Sequence, residues 1–140
     1  MKKYFFVALT VIFSYATTFA QNKTNNAIET AFKAKFPNAT KVKWDKENEH
    51  EYEASFTENG IKHSANFSDK GEWLETESPS SFDKLPSKVQ TAFNLAHKGA
   101  KIKAVAKIEA SKGETQYEIE VKKGLKSLEY FYNSEGKLIK

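Results

Sequence analysis

The chain has 140 residues, no cysteine, and a formal charge of +4 whose basic side is carried by lysine alone, with no arginine. The missing cysteines exclude disulfides, thiol catalysis and thiolate metal sites, so packing alone must hold the fold. The missing arginines remove the bidentate fork that reads phosphates and guanine edges, which argues against a nucleic-acid partner.

Residues 1–20 read as a signal peptide. Lys2 and Lys3 form a positive start, Tyr4 to Phe13 is apolar except for Thr10, and Thr18-Phe19-Ala20 places small residues for cleavage after Ala20. The apolar run falls short of the roughly 20 residues a spanning helix needs. The mature chain, residues 21–140, is expected to be periplasmic or secreted, with no membrane span. It keeps 20 lysines against 18 acidic residues, a net charge of +2. Its size suits one domain with a real core.

A first unit, about residues 24–77, opens with a helix. Ile28, Ala31, Phe32 and Phe36 share one face, Asn26 with Glu29 resembles a capping box, and Pro37 ends the helix. Val42 and Trp44 mark a strand over residues 40–45. Tyr52, Ala54 and Phe56 alternate with Glu51, Glu53 and Ser55 on the next, Glu58-Asn59-Gly60 signals a hairpin, and Ile61, His63, Ala65 and Phe67 share a face beyond it. Asp69-Lys70-Gly71 turns the chain into a short strand over residues 72–76. Ser78-Pro79-Ser80-Ser81 reads as a linker.

The second unit, about residues 84–140, repeats the order. Leu85-Pro86 opens a helix with Val89, Ala92, Phe93 and Ala96 on one face, and Gly99 follows its end. Ile102, Ala104, Ala106 and Ile108 alternate along a strand, as do Tyr117, Ile119 and Val121. A strand over residues 125–132 and a final one at Leu138-Ile139 complete the unit. The two units also match residue by residue. Tyr52-Glu53-Ala54-Ser55-Phe56, Gly60 and Phe67-Ser68-Asp69-Lys70-Gly71 return as Tyr117-Glu118-Ile119-Glu120-Val121, Gly124 and Phe131-Tyr132-Asn133-Ser134-Glu135-Gly136. The tyrosines are 65 residues apart and the turn glycines 64.

Each unit is thus a helix followed by about four antiparallel strands. The expected fold class is α+β: two units joined edge to edge into one broad antiparallel sheet, with both helices on one face and the other face open.

Local signatures of chemistry are absent. His50, His63 and His97 show no zinc-ligand spacing, and no nucleophile elbow or phosphate loop occurs. Asp45, Glu47, Glu49, Glu51 and Glu53 form an acidic stretch with Lys41, Lys43 and Lys46 interleaved, which reads as a solvated strand face and turn rather than a cation site. Asp69-Lys70-Gly71 is a turn, not a calcium loop. No catalytic residue, metal or cofactor is expected.

The aromatic pattern offers a lead. If Phe131 is the counterpart of Phe67 and the units share an inward face, then Leu128, Tyr130 and Tyr132 point outward, where the first unit has Ser64, Asn66 and Ser68. Outward tyrosines are preferred anchors for a protein partner. A shift of one residue would reverse every side chain and bury them. Leu128, Tyr130 and Tyr132 are the candidate partner-binding residues.

Phe36-Pro37, Val42-Lys43-Trp44, Tyr52-Glu53, Phe67-Ser68-Asp69-Lys70-Gly71-Glu72-Trp73-Leu74, Leu85-Pro86, Tyr117-Glu118-Ile119-Glu120-Val121 and Gly136-Lys137-Leu138 together resemble the PepSY-like family of small secreted bacterial proteins, also described as β-lactamase-inhibitor-like. The resemblance covers nearly the whole mature chain. It implies a tandem α+β protein with a curved antiparallel sheet and a non-catalytic role in binding or restraining an enzyme. The inhibitor of that name clasps its target with the sheet face, but this chain departs from it in lacking cysteines, so none of its contact residues carries over. The expected function is an exported binding or inhibitory module that grips an unidentified periplasmic or extracellular protein. The alternative is a periplasmic protein that binds a small ligand or metal.

Overall fold

A computed structural model describes residues 24–139; the segment read as a signal peptide lies outside them. The first helix, α1, spans Asn26–Lys35. Its cap is Asn25, one residue earlier than the expected box, and the Asn25 side chain accepts from the Ile28 N–H at 3.0 Å. Glu29 instead accepts from the Thr24 hydroxyl at 2.8 Å. Four strands follow, β1 (Thr40–Lys46), β2 (Glu51–Glu58), β3 (Ile61–Ser68) and β4 (Trp73–Pro79). A short 3₁₀ turn (Phe82–Lys84) leads to α2 (Ser87–Ala96), then β5 (Lys101–Ala110), β6 (Thr115–Lys123) and β7 (Lys126–Asn133).

The seven strands form one antiparallel sheet in chain order, β1 to β7. The stretch expected to be a linker is partly strand. Ser78 and Pro79 end β4 and pair with Lys107 and Ala106 of β5, which joins the two units edge to edge. Pro79 has no N–H to give, and the ladder continues from the Ser80 N–H to the Val105 carbonyl at 2.8 Å. The eighth strand expected at Leu138-Ile139 is reduced to a bridge from Leu138 to Tyr132 and one hydrogen bond from the Ile139 N–H to the Phe131 carbonyl.

Both helices lie on one face. Ile28 and Phe32 of α1 pack on Trp44, Ala54, Phe56, Ala65 and Phe67. Val89 and Phe93 of α2 pack with Leu85 on Val105, Ile119, Val121 and Tyr132. Ala65 pairs with Thr76 and Thr76 with Glu109, so the register carries one helix-facing row from the first unit into the second. The glycines that close the two units are also 65 residues apart. Gly71 (φ +85°) and Gly136 (φ +77°) bring their turns against the first turns of α1 and α2. A Cβ would lie 2.9 Å from the Ala27 carbonyl oxygen at Gly71 and 2.5 Å from that of Lys88 at Gly136. A left-handed conformation and this approach together require glycine.

Candidate binding face

The residues singled out for partner binding face α2. Tyr132 is 1% exposed within the second core cluster, and Leu128 and Tyr130 are half-buried against it. The Tyr130 ring lies 3.9 Å from that of His97 and packs edge-on to Phe93. The outward orientation expected for the three is therefore corrected, and the hairpin turns explain why. Tyr52 pairs with Phe67 and Tyr117 with Tyr132, so Phe67 corresponds to Tyr132, not Phe131. Both hairpins have two-residue loops, closed by Glu58 with Ile61 and by Lys123 with Lys126. In the first, Asn59 and Gly60 both have positive φ; in the second, Gly124 holds the first position and Leu125 the second. The glycine moved by one place inside a loop of unchanged length. Aligning the units on it shifts β7 by one residue and turns its side chains over.

With that register, the opposite face is the one that no helix among the described residues covers. Across it, Asp45 pairs with Glu53, Glu53 with Asn66, and Asn66 with Glu75. In the next row, Ser55, Ser64, Glu77, Ile108 and Gln116 are neighbours in turn. Beyond these, Glu118 sits between Ala106 and Phe131, and Glu120 between Ala104 and Glu129. The glutamates of the repeated Tyr-Glu pairs, Glu53 and Glu118, thus occupy equivalent open-face positions in the two units, and β4 places Glu75 and Glu77 between them.

These carboxyls perturb one another. Burial pushes Glu118 up from 4.5 to about 8, and repulsion from Glu77, Glu129 and Glu120 adds to it. Glu118 is 8% exposed, and its register partners Ala106 and Phe131 are apolar, which accounts for the desolvation. Burial likewise takes Glu77 to about 7, with Glu53, Glu75 and Glu129 contributing. Glu53 also reaches about 7, from burial and from Glu47 and Asp45, against a hydrogen bond from Ser64 that favours its charged form. Glu75 and Glu47 are raised too, first by burial and then by neighbouring carboxylates. Glu120 is the exception. Burial alone would raise it, but hydrogen bonds from Lys103 (2.7 Å) and Ser127 hold it below its ordinary value. Part of the acidic stretch at residues 45–53 therefore does more than face water: Asp45, Glu51 and Glu53 begin a band that continues through β4 to β7.

The histidines are dispersed. His50 lies 3.1 Å from Asp69 at an exposed turn. His63 stacks on Phe56 and meets the Ser78 hydroxyl at 2.9 Å on the helix side. His97 caps α2. Among the described residues no group of His, Asp or Glu is arranged to hold a metal ion. A cleft of about 530 Å³ on the helix side is lined by Lys35, Phe36, Trp73, Thr76, Glu109 and Glu114. The Lys35 ammonium sits 3.5 Å over the Trp73 ring and already occupies its face. Sequence reasoning missed the acidic band because its members lie on separate strands. The signal that could have found it was the Glu beside each repeated Tyr.

No curated protein matches the chain. Among solved structures, a BLIP-like protein of Bacteroides fragilis is 27% identical, covers 84% of both chains and superposes with a TM-score of 0.69. A DUF2874 family protein of Bacteroides ovatus is 25% identical over 85% of this chain and 86% of its own, with a TM-score of 0.74. A structure from Bacteroides eggerthii, described as a putative periplasmic protein, shares the fold at 19% identity and a TM-score of 0.77, over 84% of this chain and 87% of its own. No helix among the described residues is long and apolar enough to cross a membrane. The family model described as "Putative beta-lactamase-inhibitor-like, PepSY-like" matches residues 14–62 and 50–140, and the chain belongs to that family.

Proposed function

We propose that this chain is an exported, non-catalytic binding or inhibitory module that grips a protein partner with the open face of its sheet. The observation that carries the reading is the division of labour between the faces. One is filled by two helices and their cores, and the other presents a band of half-buried carboxyls that no described helix covers. Folding alone does not call for such a band, because mutual repulsion on a sheet face costs stability. Membership in an inhibitor-like family and likeness to a BLIP-like protein support a binding role over a catalytic one. The reading includes removal of residues 1–20 and work outside the cytoplasm as one domain built from two repeats.

The test is capture of a partner from periplasmic extract by immobilised residues 21–140, compared with two variants. Glu77→Arg on the open face should abolish capture and leave the thermal midpoint unchanged or raised. Lys33→Glu, on the helix side, should leave capture intact. Capture that survives Glu77→Arg and disappears with Lys33→Glu would place the interface on the wrong face and defeat the proposal.

A further inference from the structure

We infer that one end of the second unit docks on an anionic lipid bilayer, with the tip of the β6–β7 hairpin as its point of contact. Lys98 lies just past α2, Lys101 and Lys103 open β5, Lys122 and Lys123 close β6, and Lys126 opens β7. All six are exposed, and the register gathers them at one end of the sheet. Lys101 lies opposite Lys122, and Lys123 opposite Lys126. Like charges placed directly across a ladder cost stability, so folding does not account for the arrangement. Of the six, only Lys103 has an ion pair with a described residue, to Glu120 at 2.7 Å.

The hairpin tip adds an apolar point. Gly124 (φ +62°) and Leu125 form its two-residue loop, and the Leu125 side chain is fully exposed; Ile102, beside Lys101, is exposed as well. Val121 faces α2, so alternation puts Lys123 on the helix side of the hairpin and Lys122 on the open side. Lysines thus flank Leu125 on both faces of the sheet. The first unit has a different tip. Its corresponding hairpin carries Thr57, Glu58 and Ile61 where the second carries Lys122, Lys123 and Lys126.

Of the 20 lysines in residues 21–140, these six leave 14 for the rest of the chain against its 18 acidic residues. The molecule is electrically polarised, and its field turns the basic end toward a negatively charged surface. Lysine ammonium groups are point charges without the fork that grips one particular phosphate, which fits a diffuse layer of anionic headgroups. Leu125 adds an apolar contact that the interior of a bilayer accepts and a nucleic-acid backbone or free phosphate does not.

The experiment is co-sedimentation of residues 21–140, so that the apolar leader cannot itself bind lipid, with two kinds of vesicle. One is phosphatidylglycerol and phosphatidylethanolamine in equal parts, and the other is phosphatidylcholine alone. Binding to the anionic vesicles only is expected, roughly tenfold weaker at about 200 mM salt than at about 25 mM. The triple variant Lys122→Gln, Lys123→Gln, Lys126→Gln should weaken it by at least roughly tenfold, and circular dichroism checks that the variant folds. Orientation is read from Leu125→Cys and Lys70→Cys, each labelled with an environment-sensitive fluorophore, because the chain has no cysteine of its own. Lys70 lies in the turn between β3 and β4, at the other end of the strands. The label on Leu125→Cys should shift to the blue on the anionic vesicles, and that on Lys70→Cys should not. Equal binding to both kinds of vesicle, undiminished binding by the triple variant, a shift of the Lys70→Cys label without one at Leu125→Cys, or release of bound protein by single-stranded DNA of equal charge would each overturn the inference.

Discussion

Glu118→Gln should stabilise the protein at alkaline pH and do nothing at acid pH. The folded state holds the Glu118 carboxyl near 8 against an ordinary 4.5. A raised carboxyl binds its proton more tightly when folded, so its contribution is fully present below about pH 4.5 and is lost as pH rises through 8. The whole displacement corresponds to roughly 5 kcal/mol against the charged form. Glutamine relieves only the share specific to Glu118, because Glu77, Glu129 and Glu53 still repel one another; about 2 kcal/mol is a reasonable gain at pH 8.5. For a chain of this size that is a rise of about 8 °C in the thermal midpoint. The assay is thermal unfolding of residues 21–140, wild type and variant, followed by circular dichroism at pH 4.5 and 8.5. A gain of the same size at both pH values, or a loss at pH 8.5, would refute the linkage.

Three further outcomes follow from the packing. Gly136→Ala and Gly71→Ala should each cost about 2–4 kcal/mol, since each adds a clash with helix backbone to a left-handed conformation, whereas Gly60→Ala, which has open space around it, should cost about 1; urea unfolding reads the difference. Tyr132→Phe should be neutral or slightly stabilising, because the buried Tyr132 hydroxyl has no hydrogen-bond partner among the described residues, while Tyr132→Ala should cost about 3–5 kcal/mol in the same assay. Asn25→Ala should lower stability by about 1 kcal/mol through loss of the α1 cap, and also untie the Asn25 amide from the Asp69 carbonyl at 2.7 Å; hydrogen exchange at Ile28 should accelerate most.

Much of the fold was legible because it obeys local rules. The alternation Tyr52, Ala54, Phe56 and the spacing Val89, Phe93 named faces that the structure fills as expected. Pro37 ended α1 and Gly99 followed α2 for the reasons a sequence can show. The errors arose where one residue of register mattered. The cap fell on Asn25 rather than Asn26, because neighbouring asparagines offer the same chemistry and only the exit path of the chain chooses between them. Ser78 and Pro79 read as a linker, but backbone pairing to β5 outweighed their composition. The tyrosines of β7 were turned over by a glycine that changed place inside a hairpin loop, a shift invisible without the pairing partner. The acidic band was half visible, as Glu53 and Glu118 beside repeated tyrosines. Its continuity depends on Glu75 and Glu77 from β4, and a strand ending at residue 76 leaves Glu77 outside the sheet.

In the proposed function the open face, and not the helix face, meets the partner. Carbodiimide footprinting of carboxyl groups, with the captured partner present and absent, tests it most directly. Protection of Glu53, Glu75 and Glu77 on binding, with Glu29, Asp83 and Glu109 on the helix side labelled as before, is the predicted result. Protection of Glu29, Asp83 or Glu109 with unchanged labelling of the open-face glutamates would contradict it.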